Sequence, residues 1–203
     1  MAILEPIKAF FAQLKDTLVL SGAGQYRNLW RWAVGVVLVY STAMLVLGTY
    51  WSSAPEPFDV EHAAESRLDN PQQRVTGTVT TATLMGVIET LLDKNGGYIH
   101  NDIFPPGVFM DNMPNWEYGV LIQSRDLARA MREVLSRSQS QSKEDVDLTL
   151  AEPRINFQSD SWALPASEGE YRDAARYLDA YFLRLPQRGE RGAQFYARAD
   201  NLS

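Results

Sequence analysis

The sequence predicts a mainly α-helical protein: one N-terminal transmembrane helix, then a mostly helical extracytoplasmic domain with long loops and at most a few short strands. Three observations predict it. Residues 33–51, AVGVVLVYSTAMLVLGTYW, carry no charge. Downstream, apolar residues recur at three- and four-residue steps, the period of a helix with one buried face. Proline and glycine clusters then divide the downstream chain into pieces of helix length. The expected organisation is an amphipathic cytoplasmic arm at 1–32, a membrane helix at 33–51, a linker with a short helix at 52–74, and an α-rich periplasmic domain at 75–203.

In the arm, Ile3, Leu4, Ile7, Phe10, Phe11, Leu14 and Leu18 form one wide apolar stripe, with Glu5, Lys8, Lys15 and Asp16 on other faces. Two acids cancel two bases, so apolar burial rather than attraction to anionic lipid must hold this helix. The inner leaflet is the expected resting place, and a partner subunit is the alternative. Ser21-Gly22-Ala23-Gly24 breaks the helix and makes a hinge.

The charge-free run of 19 residues would span about 28 Å as a helix, close to the thickness of a bilayer's hydrocarbon core. It contains no proline. Trp30 and Trp32 before it, and Tyr50 and Trp51 at its end, place amphipathic rings at both headgroup levels. Arg27 and Arg31 stand at its N-terminal edge with Lys8 and Lys15 behind them, whereas Glu56, Asp59, Glu61 and Glu65 come after it. Basic residues resist translocation, so the N-terminus is expected in the cytoplasm and the C-terminal bulk outside, the periplasm of a Gram-negative cell. A cleaved signal peptide would need a short basic start and a small-x-small cleavage site. Here about thirty residues come first and the run ends in Thr49-Tyr50-Trp51, which favours an uncleaved anchor.

Beyond the membrane, Ser52-Ser53-Ala54-Pro55-Glu56-Pro57 is an extended spacer, because each proline keeps its predecessor out of helix. Residues 58–68 suit a short helix that Asp69-Asn70-Pro71 stops. A stronger one follows, capped by Thr80 or Thr81, striped by Leu84, Val87, Ile88, Leu91 and Leu92, and closed by Asn95-Gly96-Gly97 in left-handed conformation. Residues 98–114 are expected to be irregular. Asn115 is the expected cap of a long helix at 116–137 with Val120, Ser124, Leu127, Met131, Val134 and Leu135 inward. The polar run SQSQSKED is a solvated loop. Alternation of Leu148 with Leu150 and Ile155 with Phe157 suggests one or two short strands within 148–164. Ser167-Glu168-Gly169-Glu170 has the capping-box spacing, and its helix turns Tyr171, Ala174, Ala175, Leu178, Phe182 and Leu185 to one side until Pro186. A last helix is expected from about Gly192, cut short at Ser203, as if the chain were truncated at that end.

The segments NGGYIHNDIFPPGVFMDNMPNWEYGVLIQSRDLARAMR, SRSQSQSKED, AEPRINFQSDSW and AQFYARADNL together resemble an uncharacterised family of proteobacterial single-pass inner-membrane proteins, a domain of unknown function. The resemblance runs from about Val75 to the end, with the anchor upstream. It implies a Gram-negative periplasmic location and a longer C-terminal end, and it brings no catalytic residues.

Composition narrows the chemistry. Four of the 19 basic and two of the 25 acidic residues precede the membrane segment, so the downstream part carries 15 against 23. That net negative charge argues against a nucleic-acid partner. With no cysteine, disulfides, thiolate metal sites and thiol catalysis are excluded. The two histidines, His62 and His100, leave little for a serine triad or a metal site, and both read as polar loop residues. His62 with Glu65 is half a metal site. Asp111, Asn112, Asn115 and Glu117 lack the spacing of a calcium loop. No cofactor is expected. Asp111, Trp116 and Glu117 on one motif, with Asp160 and Trp162 on another, offer a ligand or partner surface whose aromatic and acid pairs could bind a glycan or cleave it. The expected function is a non-enzymatic inner-membrane accessory, scaffold or assembly protein of an envelope complex. Its expected partners are the lipid bilayer and other membrane or periplasmic proteins, further copies of itself included. The alternative is a module for periplasmic glycan such as peptidoglycan.

The orientation is directly testable. Alkaline phosphatase, active only outside the cytoplasm, should be active when fused after Ser140 and inactive when fused before Gly22. Replacing Lys8, Lys15, Arg27 and Arg31 together should give mixed insertion, because the apolar run still enters the membrane. Activity from the N-terminal fusion of the unaltered chain would reverse the assignment.

Overall fold

The computed structural model describes residues 25–137, 143–187, 189 and 192–197. The expected amphipathic arm and its hinge lie outside the described residues, as does most of the SQSQSKED loop. The described residues contain six α-helices and no strand. We number them α1 (Gln25–Trp51), α2 (Val60–Glu65), α3 (Thr78–Asp93), α4 (Asn112–Ala130), α5 (Val146–Ile155) and α6 (Ser167–Arg184). The chain divides into two compact units, Met1–Val46 and Leu47–Ser203.

The first unit is defined by α1. The helix starts eight residues before the charge-free run, and 24 of its residues, Asn28–Trp51, are long and apolar enough to cross a membrane, about 36 Å at a helical rise. Its apolar stretch is unburied. Trp30, Trp32 and Arg31 are exposed.

The second unit is a ring of four helices. α3 packs against α4, α4 against α5, α5 against α6, and α6 back against α3, while α2 covers the outside of α3. Each helix turns an apolar stripe to the shared centre: Leu84, Met85, Ile88, Leu91 and Leu92 from α3, Leu121, Ala128 and Met131 from α4 and its continuation, Leu148, Ala151 and Ile155 from α5, and Tyr171, Ala174, Leu178, Tyr181 and Phe182 from α6. Removing that much apolar surface from water is what stabilises a domain of this size. Charged residues join the ends. Arg184 on α6 holds Asp145 at 2.7 Å and Asp147 at 2.8 Å, at the start of α5. Arg132 bonds Glu152 on α5 at 2.9 Å, and Arg125 donates to the Ile155 and Phe157 carbonyls.

Several boundaries differ from the sequence expectation, each for a local reason. The short helix is confined to α2, because Asp59 accepts from the Glu61 and His62 amides and starts it late. α3 begins three or four residues early, at Thr78, with Gly77 in left-handed conformation at its N-cap, and Thr81 bonds back to the Gly77 carbonyl rather than capping. α4 starts at Asn112, not after Asn115, and passes into a π-helical turn, Met131–Leu135, closed by the Ser136 amide on the Met131 carbonyl at 2.9 Å. The expected strands at 148–164 do not form. Asp145 accepts from the Asp147 and Leu148 amides and opens a helix whose inner positions, Leu148, Ala151, Glu152 and Ile155, follow the 3.6 period. The expected last helix is also absent over its described part. Residues 192–197 cross the end of the ring as an irregular clamp: the Ala193 amide bonds the Arg184 carbonyl at 3.0 Å, the Tyr196 amide bonds the Leu135 carbonyl at 2.6 Å, and Tyr181 donates to the Gln194 carbonyl at 2.8 Å. The Phe195 ring lies on Gly77, which covers it.

The capping box of α6 is likewise not formed. The N-cap position is Ala166, and Ser167 is fully buried, donating to the Gln158 carbonyl at 2.6 Å and accepting from the Ser161 amide at 3.2 Å. Ser167 thus closes the loop before the helix rather than the helix end. Ser167→Ala should therefore cost about 1–3 kcal/mol by leaving buried loop groups unpaired. Glu170→Ala should cost under about 0.5 kcal/mol. Equal losses in chemical denaturation of the two variants would restore the capping box.

Candidate functional site

One end of the helical ring is built around a buried ion pair. Lys94 follows the last turn of α3 and Glu117 sits in the second turn of α4; their side chains are 1% and 0% exposed and form a salt bridge. Charges taken out of water need their bonding capacity filled. Glu117 also accepts the Ile99 amide at 2.9 Å and the His100 amide at 2.6 Å, and Lys94 donates to the Gly97 carbonyl. The carboxylate thus acts as a peg on which the loop after α3 is wound. His100 completes the winding, with Nδ1 3.1 Å from the Pro114 carbonyl and its ring stacked on Tyr118.

The wound loop fixes its neighbours. Tyr98 is buried against Tyr171 in an edge-on pair, with its hydroxyl donating to the Ser159 carbonyl at 2.9 Å. Burial pushes both tyrosine hydroxyls above their ordinary pKa, so both stay protonated donors. Asn101 donates to the Ser161 carbonyl and to Glu168, each at 2.8 Å. Asp102 is held above the usual carboxylate range by burial first, then by the Glu168 and Glu117 carboxylates, with Lys94 opposing.

The same loop seats the last residues of α1. Gly96 is left-handed, with φ +86°, and a Cβ there would stand 2.6 Å from the Trp51 ring. Only glycine meets both demands, the backbone conformation and the close approach. Asn95 donates to Ser53 at 2.8 Å. Residues 54–58 then run along α3, where the Phe58 ring takes the space over Gly86, 2.8 Å from where a Cβ would be. Between this strap and the helices lies an apolar groove of about 310 Å³, lined by Ala54, Pro55, Glu56, Pro57, Phe58, Val87, Thr90, Trp116 and Val120.

The residues singled out in the sequence are distributed around this region. Trp116 is half-buried in the groove wall, and Glu117 is inside the ion pair, out of reach of a ligand. Asp111 is exposed at the start of α4. Asp160 is exposed, and Trp162 is 59% exposed. The two motifs are linked through the loop between them: Glu117 holds Ile99 and His100, and Tyr98 and Asn101 hold Ser159 and Ser161. Tyr50 is exposed, whereas Trp51 is half-buried on Gly96. His62 is exposed on α2, and among the described residues no three His, Asp or Glu side chains gather as a metal-binding set. Sequence reasoning did not single out Lys94, because a lone lysine beside a helix-ending Asn-Gly-Gly looks like a solvated terminus. The Asn-Gly-Gly itself is read correctly: Gly96 and Gly97 both have positive φ.

Fold and site together define a helical domain preceded by a helix long and apolar enough to span a membrane. The chain belongs to the family described as "Uncharacterized protein conserved in bacteria (DUF2333)", whose profile matches residues 25–203 and so takes in α1 as well as the domain. No curated protein and no solved structure matches the chain.

The ion pair gives a sharp test. Lys94→Met leaves Glu117 buried without its cation and should cost about 3–5 kcal/mol in chemical denaturation. Adding Glu117→Gln removes the stranded charge while keeping an acceptor for the loop amides, and should recover more than half of the loss. A double variant no more stable than Lys94→Met alone would show that the pair is not the organising interaction.

Proposed function

We propose that the chain is a single-pass inner-membrane protein with a cytoplasmic N-terminus, whose periplasmic helical domain acts as a non-enzymatic scaffold, accessory or assembly subunit of an envelope complex. The observation that carries this reading is the seating of the segment after α1: Trp51 lies on Gly96, Ser53 bonds Asn95, and Phe58 lies on Gly86. A segment seated on the domain suits a protein that presents a surface to partners. These contacts replace a tether with a fixed strap. The apolar groove beside the strap, with Trp116 in its wall, suits the apolar side chains of a partner segment. Charge supports the same reading, since Glu117, Glu152, Asp145 and Asp147 are all committed to structural ion pairs.

One observation favours the glycan reading: Trp162 is exposed two residues from the exposed Asp160, an aromatic platform beside an acid. Peptidoglycan pull-down separates the two readings, since binding that Trp162→Ala abolishes would favour the glycan module.

The scaffold reading predicts that crosslinking mass spectrometry on native membranes recovers a stoichiometric partner or a homo-oligomer, with crosslinks clustered on residues 54–58 and the first turns of α4. A strictly monomeric protein in native membranes would contradict it.

A further inference from the structure

Two loops leave the wound end of the ring with apolar side chains that nothing in the domain covers. Residues 103–110, IFPPGVFM, run eight positions without a charge between Asp102 and Asp111. In them Phe104 is 71% and Phe109 83% exposed, with Ile103 and Val108 also in the open. The second tip carries the exposed Trp162 and Leu164, and the Asn101–Ser161 hydrogen bond ties it to the base of the first. The exposed apolar side chains along residues 103–109 mark an interaction surface.

Position decides what covers them. A Cβ built on Gly48 would lie 3.6 Å from Pro106 Cβ, so the first loop backs onto the last turn of the apolar helix. Gly48 stands three residues before the end of the membrane-length segment, about 4.5 Å inside it at a helical rise. We propose that residues 103–110 insert into the same bilayer leaflet that the C-terminal end of α1 traverses, with Phe104 and Phe109 at the boundary between headgroups and acyl chains. An aromatic side chain at that boundary is favourable, and the burial depth of an interfacial segment is about 5–10 Å. The flanking Asp102 and Asp111 set the limit of insertion, because a carboxylate resists entering hydrocarbon. The domain thus has a second foothold in the lipid.

The proposal rests on the reading of α1 as a membrane span, and its test distinguishes the two. The chain contains no cysteine, so single cysteines can be introduced and spin-labelled in the full chain, reconstituted in nanodiscs of phosphatidylethanolamine and phosphatidylglycerol. Four variants suffice: Phe104→Cys and Phe109→Cys on the loop, Leu38→Cys within α1, and Leu183→Cys at the end of α6. Leu183 is exposed at the opposite end of the ring, where the clamp residue Ala193 bonds Arg184 and Phe195 lies on Gly77, a full α3 length from Gly96. Labels at 104 and 109 should collide with oxygen, which concentrates in lipid, severalfold more than with a water-soluble nickel chelate, as Leu38→Cys does. Leu183→Cys should show the reverse. If 104 and 109 behave like Leu183 while Leu38 reads lipid, the loop stands in water and the proposal is overturned with the anchor intact. Shielding from both relaxants would mean a protein partner covers the loop, which also overturns it. If Leu38 itself reads water, the span reading fails and the insertion with it.

Discussion

The buried Lys94–Glu117 pair is the constraint on which one whole end of the domain depends. Two opposite charges with no solvent contact are stable only while each keeps its partner and its further hydrogen bonds. Glu117 has three demands on it, from Lys94 and from the Ile99 and His100 amides, and these three groups lie within seven residues of one another. One carboxylate thus ties three points of the loop after α3 to α4. From that fixed loop follow the seat of Trp51 on Gly96, the burial of Tyr98 against α6, and the bond from Asn101 to the loop before α6. The opposite end is closed by different means, the Arg184 ion pairs and the clamp of residues 192–197, and does not rely on a buried charge pair.

Much of the fold was legible where apolar residues alone decide it. α1 stands out because nineteen residues without charge have few alternatives to a helix in lipid. The stripe of α6 is read almost residue for residue, with Tyr171, Ala174, Leu178 and Phe182 inward and only Tyr181 missed. α4 is legible only in part. Of the expected stripe, Ser124 and Met131 are buried and Val120, Leu127 and Leu135 pack against the core, while Val134 is exposed; the positions missed are Met113, Glu117, Leu121 and Ala128. A count of apolar positions cannot find a face centred on an ionised side chain, because that face is offset by a partner from another segment, Lys94 after α3. α5 fails for a related reason. Leu148 and Leu150 alternate, but the Asp145 cap and the inner position of Glu152, bonded to Arg132, make the segment helical.

The candidate site was legible in part and for reasons other than those that first drew notice. Trp116 and Glu117 stand out in sequence as an aromatic–acid pair. In the structure the first lines an apolar groove and the second winds a loop. The charge-free stretch at 103–110 reads in sequence as an irregular turn region, because proline and glycine hide the apolar character of what lies between them. Only its position against Gly48 gives those side chains a direction. Ser167 makes the same point on a smaller scale: its spacing to Glu170 is that of a cap, yet its hydroxyl serves the preceding loop.

The central claim, that one ion pair fixes the end of the domain on which Trp51 is seated, is tested most directly by hydrogen–deuterium exchange on the full chain in nanodiscs, comparing the unaltered protein with Lys94→Met under conditions where both remain folded. Loss of the pair should deprotect residues 95–102 first and, with the seat of Trp51 gone, residues 51–58 as well, while α5 and the C-terminal half of α6 keep their protection. Protection unchanged across residues 95–102, or lost evenly over the whole ring, would contradict the account.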